Sequence, residues 1–388
     1  MRLLYFSPVN LDRPNACQTH TLGLLQGFRA QGAQVAAVVT RPERGLAACP
    51  GVAYHYTGPY RGGRRHLPRE VLVSAVLMWR LCRSQPFDAI YARDMDVFVG
   101  PRLCSRRFHL PLFLEIDDTP VEGDYPAFLR PWVEYNLGAD YRQATGLIVP
   151  SVPRSWILRE RFQVPPAKIH LVLNGAEDIP GPVTAPAAAK ARLGLPADSF
   201  CLGYVGTVNE RYDFVTMMTA AALCLADLPQ LRFILVGDGP RLAAVQRLAQ
   251  DQGLADRVVY TGFVQPESFP ELLPAVDVGL MTLTAAAAAE HGPVHTKLAT
   301  YGLYGLPVIT AGKSLGGYPA GLAPGLLLVP PEDAASLAAM ILALARQPEQ
   351  RRRAGLALQH FVRQNLTWTA VAGEILRIMA APAPGRSW

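Results

Sequence analysis

The sequence predicts an α/β protein: two doubly wound, Rossmann-like domains in tandem. Three observations predict it. Short apolar runs alternate with helix-period segments through most of the chain, the pattern of a parallel sheet covered on both faces. The alternation breaks once, at residues 176–199, where Pro180, Pro182, Pro186, Pro196 and several alanines read as a linker with a short helix. A second β/α series then begins.

In the first half the expected strands are the apolar runs at 3–6, 34–40, 88–93, 111–116, 146–151 and 170–174. They are too short for helices and are bounded by polar or turn residues. Helical patterns fall between them near 18–31, 69–84, 96–107, 128–144 and 153–162. In the second half, strands are expected near 200–206, 232–237, 257–262, 278–283, 307–311 and 325–330. Helices are expected near 213–226, 241–252, 268–276, 296–305 and 333–346. Three helical stretches with no strand between them close the chain, the last near 367–380. In such sheets ligands bind outside the carboxyl ends of the strands.

Composition agrees. Of 388 residues half are apolar and 18% charged, which excludes wholesale disorder. No apolar run reaches the ~18 residues of a membrane-spanning helix, and Met1–Pro8 is too short an apolar run for a signal peptide. The expectation is a cytoplasmic chain. Its six cysteines (Cys17, Cys49, Cys82, Cys104, Cys201, Cys224) include no C-x-x-C pair, which excludes a zinc knuckle and points to reduced thiols.

The net charge of +6 is unevenly placed. Residues 1–175 hold 21 basic and 14 acidic side chains, and residues 176–388 hold 16 and 17. The excess clusters at Arg61, Arg64, Arg65 and Arg69, at Arg80 and Arg83, and at Arg102, Arg106 and Arg107. A basic half attracts anionic partners. Between Arg69 and Arg83 the chain is nearly all apolar, which fits either an interfacial helix or a core helix with solvated ends. No nucleic-acid recognition module is present.

Several motifs are missing. No G-x-G-x-x-G follows the first strand, no G-x-S-x-G occurs, and Gly312-Lys313-Ser314 lacks the P-loop glycine because position 307 is proline. His291 and His295 have metal-ligand spacing, but Gly292-Pro293 lie between them and no third ligand is evident.

What remains is a series of glycine turns after strands: Gly206, then Gly237-Asp238-Gly239-Pro240, then Gly262-Phe263-Val264, and then Lys297-Leu298-Ala299-Thr300 leading to Gly305-Leu306-Pro307. The first half contributes Asp88 to Asp94, Leu114-Glu115-Ile116-Asp117-Asp118, and Leu173-Asn174-Gly175. In this order the motifs resemble those of the family 4 glycosyltransferases, which have the GT-B fold, over nearly the whole chain.

The resemblance implies a retaining, metal-independent transfer of sugar from a nucleotide-sugar donor, with no cofactor. It implies an acceptor-side domain at 1–178 and a donor-binding domain at 179–366, with the helix of 367–388 packing back on the first. Lys297 matches the family's motif lysine, and Gly206 the glycine after the first strand of the donor domain. Arg211 is the candidate phosphate contact. Gly237, Gly262, Phe263, Val264 and Thr300 fall among the donor-binding positions. Asp117 stands where relatives often carry histidine, with Asp118 beside it. Asn15 lies in the first loop and His20 matches a family histidine, both on the acceptor side.

The chain also departs from the family. Relatives carry two glutamates eight positions apart, and these fall at Gly292 and Thr300. Glu290 is the nearby candidate substitute. Thr300 makes one hydrogen bond where glutamate accepts two, a loss of roughly 1.5–3 kcal/mol. In the first loop, Ala16 stands where a glycine is usual. The expected activity is therefore a glycosyltransferase acting on an acceptor such as a lipid-linked or surface glycan, with peripheral membrane contact through the basic half. The alternative is a non-catalytic GT-B partner subunit that has lost the glutamates. An epimerase or phosphorylase of the same fold lacks its characteristic acidic and histidine set here.

Overall fold

The computed structural model describes residues 1–9, 11, 16–42, 49–59, 67–93, 98–117, 127–177 and 183–381. Contacts divide the chain into two compact units, Met1–Gly175 with Trp368–Trp388, and Ala176–Thr367.

In the first unit, β1 (Arg2–Ser7), β2 (Gln34–Arg41), β3 (Ala53–Pro59), β4 (Ala89–Ala92), β5 (Leu112–Glu115), β6 (Gly146–Val149) and β7 (Ile169–Leu171) form one parallel sheet. Their order is β3-β2-β1-β4-β5-β6-β7. The helices are α1 (Ala16–Ala30), α2 (Leu67–Ser84), α3 (Val99–Phe108), α4 (Arg130–Gln143) and α5 (Val152–Phe162). Strand side chains alternate between faces. Leu4, Phe6, Ile90 and Leu114 pack under α2 to α5, while Leu3, Tyr5, Tyr91 and Phe113 pack under α1. Strand β3 was not among the expected strands. It pairs only with β2, is only partly buried, and ends in Gly58-Pro59, so it lacks the apolar run of a central strand.

In the second unit, β8 (Phe200–Val205), β9 (Leu231–Val236), β10 (Val258–Gly262), β11 (Val278–Met281), β12 (Val308–Ala311) and β13 (Leu326–Val329) form a parallel sheet of order β10-β9-β8-β11-β12-β13. Its helices are α6 (Pro186–Arg192), α7 (Phe214–Leu223), α8 (Leu242–Asp251), α9 (Phe269–Leu272), α10 (Ala285–His291), α11 (Thr296–Leu303), α12 (Ala334–Arg346) and α13 (Pro348–Asn365). Side-chain caps start three of them: Asp213 accepts from Thr216 N–H at 3.0 Å, Thr284 from Ala287 N–H at 3.3 Å, and Asp333 from Ser336 N–H at 2.9 Å. Two elements differ from expectation. The helix expected at 268–276 shrinks to the four residues of α9, flanked by 3-10 turns carrying Pro266 and Pro274. Helix α10 was not expected, because five of its seven residues are alanine and show no apolar period.

The last helix, α14 (Trp368–Ala380), belongs to the first unit and packs on α1. Trp368 is buried against Gly23, Gly27 and Gly175, where an added methyl group would collide with its ring or carbonyl. Filling this groove with tryptophan contributes about 3–5 kcal/mol relative to alanine.

Candidate active site

Each unit brings polar residues to the carboxyl edge of its sheet. In the first unit the strand register does this. Ala92 pairs with Leu114, so the next residues, Arg93 and Glu115, sit side by side. Arg93 Nε lies 3.1 Å from Glu115 Oε2, and the guanidinium also binds Asp117 Oδ2 and donates to Thr21 Oγ1 at 3.0 Å. His20 Nε2, from α1, lies 2.8 Å from Glu115 Oε1, and Tyr91 OH donates to Glu115 Oε2 at 2.7 Å. The His20 ring also packs on Trp368, with centroids 4.6 Å apart.

Burial alone would raise the pKa of Glu115. The charges of His20 and Arg93 and two hydrogen bonds outweigh it and hold the carboxyl at about 2. Arg93 and Glu115 are almost completely buried, and the Asp117 side chain is 26% exposed. Asp117 Oδ1 is buried and has no hydrogen-bond partner among the described residues, so Asp117 carries an unsatisfied acceptor although its side chain as a whole reaches solvent. His20, Glu115 and Asp117 could each offer a metal one ligand atom, all within 4.8 Å of one another. Arg93 already bridges both carboxylates, so a cation there would have to displace the guanidinium, and the donor set does not fit a metal. Asn15 and Asp118 lie outside the described residues.

In the second unit the glycine turns lock together. Gly206 N–H donates to Val236 O at 2.8 Å, Gly237 N–H to Gly262 O at 2.8 Å, and Val208 N–H to Asp238 O at 2.9 Å. Gly206 (φ 128°) and Gly237 (φ 143°) adopt backbone that glycine favours, and a methyl group on Gly237 would strike Gly206 O. Lys297, in the first turn of α11, reaches across this floor. Its Nζ fills the space where Gly206 would carry a Cβ. It lies 4.2 Å from the Tyr212 ring centroid and 4.8 Å from that of Tyr204.

Among the described residues no carboxylate is within ion-pair distance of Lys297. Desolvation lowers its pKa to about 7. His295, the residue before α11, is pushed down to about 3 by burial first, then by the charges of His291, Lys297 and Arg211. It is neutral at pH 7 and provides no side-chain cap for α11, which leaves first-turn N–H groups of that helix available. Arg211 is exposed, and its carbonyl accepts from Thr284 N–H at 3.1 Å.

Thr300 sits one turn beyond Lys297 and is partly buried. Phe263 is 61% exposed just past β10, and Val264 follows it, partly buried. Glu290 is exposed on the last turn of α10, its carboxylate 3.7 Å from His291 Nε2. Gly292 ends α10 at φ 75°, ψ −177°, a conformation essentially confined to glycine. The absence of glutamate there is thus a property of the backbone as well as of the side chain.

Several contributors are given no site role by the sequence: Tyr91, Arg93 and Glu115 in one unit, although they lie within the motif runs quoted above, and Tyr204, Tyr212 and Glu332 in the other. Glu332 has φ 60°, and its carboxylate accepts from Ala285 N–H at 2.9 Å at the start of α10. A signal existed for Glu115, a lone acid ending the apolar run Leu112-Phe113-Leu114. No comparable signal marked Tyr204 or Tyr212.

Comparison with known proteins places these features in context. The profile of Glycosyltransferase Family 4 matches residues 17–178, and that of Glycosyl transferases group 1 matches residues 199–347. The chain is 32% identical to a 2-deoxystreptamine glucosyltransferase of Streptomyces kanamyceticus over 45% of its own length, a match spanning about half (48%) of that relative. It is 26% identical to a D-inositol 3-phosphate glycosyltransferase of Stackebrandtia nassauensis, over 85% of this chain and 78% of the relative. Among solved structures, HepE of Anabaena in complex with UDP superposes with a TM-score of 0.73 at 18% identity, covering 98% of this chain and all of that one. That likeness establishes the GT-B fold.

Proposed function

This chain belongs to the family 4 glycosyltransferases, and from that premise we propose that it transfers a sugar from a nucleoside diphosphate sugar to an acceptor hydroxyl, with retention at the anomeric carbon. The observation that carries the proposal is Lys297. Its ammonium is desolvated, has no carboxylate partner among the described residues, and lies over the glycine floor beside the uncapped start of α11. A diphosphate placed there receives a charge-assisted bond from Lys297 and N–H bonds from the helix. Both strengthen as the sugar–phosphate bond breaks and charge builds on the leaving group.

The remaining roles follow from position. Gly206, Gly237 and Gly262 keep the floor low enough for phosphates, and Arg211 adds a second positive charge. Phe263 offers an exposed ring for stacking the base, with Val264 behind it, and Thr300 offers one hydrogen bond to the ribose. Glu290 is the carboxylate available to the donor sugar. On the acceptor side, Asp117 offers the carboxylate that accepts a hydrogen bond from the sugar acceptor, while Arg93, Glu115 and His20 hold it in place. Lys297 and the helix supply the positive charge that a metal would otherwise provide, so no metal is required. The relatives named for D-inositol 3-phosphate and 2-deoxystreptamine favour a polyhydroxylated ring as the acceptor.

The test is a thermal-shift panel with uridine, guanosine, adenosine, cytidine and thymidine diphosphates, with and without magnesium. At a hundredfold excess over the dissociation constant, binding stabilises the native state by ~2.7 kcal/mol. A metal-independent shift with one nucleotide supports the donor site. No shift with any of the five would overturn it in favour of the non-catalytic partner subunit, the reading that the Gly292 and Thr300 departures favour.

A further inference from the structure

Helices α2, α3, α4 and α5 lie side by side over one face of the first sheet. Their inward residues, such as Met78, Cys104, Leu137 and Leu158, are core. Their outward side combines two features. First, it is apolar where a solvated helix is polar. Phe128, Trp132 and Tyr135 follow helical spacing at the start and along one side of α4, and are 79%, 43% and 73% exposed. Trp156 on α5 is 52% exposed, and Leu72, Val76 and Trp79 form a second exposed stripe on α2. With Leu103 on α3, these make up eight of the fifteen exposed large hydrophobics among the described residues.

Second, the layer is basic. The four helices hold eleven arginines and four acidic residues. That net +7 equals the whole surplus of residues 1–175. Arg80 and Arg83, Arg106 and Arg107, and Arg159 and Arg161 are all exposed. Among the described helices none is long and apolar enough to cross a membrane, so this chemistry suits a surface contact.

We infer that the outer face of α2 to α5 docks on an anionic lipid bilayer, the arginines meeting the headgroups and the aromatic side chains of α4 and α5 entering the interface. Exposed patches of this kind mark interaction sites. Aromatic rings with basic neighbours suit the headgroup layer, where one end of the side chain is apolar and the other wet. Charge complementarity selects the occupant: a bilayer offers an extended negative plane to a layer whose positive charge is spread over four helices. The inference concerns a surface separate from the donor site and holds whether or not the donor reading does.

The experiment is sedimentation of the full chain with vesicles of phosphatidylcholine alone or mixed with phosphatidylglycerol, at low and high salt. The chain is expected to pellet with the anionic vesicles, to stay in solution with the neutral ones, and to be released by salt. Removing each exposed arginine should lower the partition coefficient about fivefold. Arg80→Gln/Arg106→Gln should therefore lose about 25-fold. Trp132→Ser/Trp156→Ser should weaken binding and abolish most of the blue shift in tryptophan fluorescence that vesicles induce. Both pairs are exposed, and unchanged melting temperatures and nucleotide-induced shifts would show that fold and donor site are intact. Failure to pellet with anionic vesicles at low salt, or equal pelleting of the arginine variant, would overturn the inference. Loss of the nucleotide response with pelleting retained would count against the donor reading alone.

Discussion

The two sheet edges treat charge in opposite ways. At the edge of the first sheet every buried charge has its partner within the protein: Glu115 with His20 and Arg93, Arg93 with Asp117. At the edge of the second, Lys297 is desolvated and has no carboxylate partner among the described residues. A network that neutralises itself can position an uncharged ligand such as a sugar hydroxyl without attracting anions. A desolvated ammonium without a counterion is destabilised until an anion arrives. The proposed function rests on this difference: it puts the polyol at the first edge and the phosphates at the second.

The largest expected effect breaks the self-neutralised side. Glu115→Gln leaves Arg93 and His20 facing a neutral amide in a buried site, and unfolding by urea should show a loss of about 3–5 kcal/mol. The acid limb sharpens the same point. Because the native pKa of Glu115 lies near 2, below its unfolded value, its contribution is present above the unfolded pKa and is lost as pH falls from about 4.5 toward 2. The variant should lack that part of the acid sensitivity.

On the other edge the outcome should differ in kind. Lys297→Met should leave stability unchanged or raise it, since a desolvated charge is removed. It should weaken nucleoside diphosphate binding about tenfold to over a hundredfold, the equivalent of ~1.5–3 kcal/mol for a charge-assisted bond, measured by calorimetry. A large loss of stability with unchanged binding would erase the contrast between the edges. Next in size, Gly292→Glu should cost about 1–3 kcal/mol through its strained backbone without improving turnover. A gain in activity would mean that the loop readily adopts a different conformation.

The last contrast is in pH. The folded pKa of Lys297 is depressed to about 7, so the unfolded state holds a proton that the native state gives up. Stability from this group rises as pH climbs from about 7 toward the unfolded value and is absent below that window. Diphosphate binding responds with the opposite sign: it needs the ammonium, so affinity should fall above about pH 7, by at most tenfold per unit. Lys297→Arg should flatten that profile.

The fold was largely legible in the sequence, because buried parallel strands appear as unbroken apolar runs and helices as periodic ones. Strand β3 escaped because an edge strand needs no such run, and α10 because alanines show no period. Of the site, Gly206 and Lys297 were legible through local motif order. The Arg93–Glu115 pair was not, because it depends on the register of β4 against β5, two strands separated by α3. Nor could spacing show that Tyr204 and Tyr212 flank the lysine, since that contact joins residues about ninety positions apart.

The return of α14 to the first unit reverses the order in which the chain can be finished during synthesis. Residues 1–175 leave the ribosome first, yet the groove lined by Gly23, Gly27 and Gly175 waits for Trp368. The intervening 176–367 can complete its own sheet while the earlier one is still open along α1. A nascent chain paused before residue 368 therefore carries one closed unit and one with an unsealed apolar seam, the kind of surface that chaperones bind. Truncation by a premature stop near the end would strike the half of the protein that was made first.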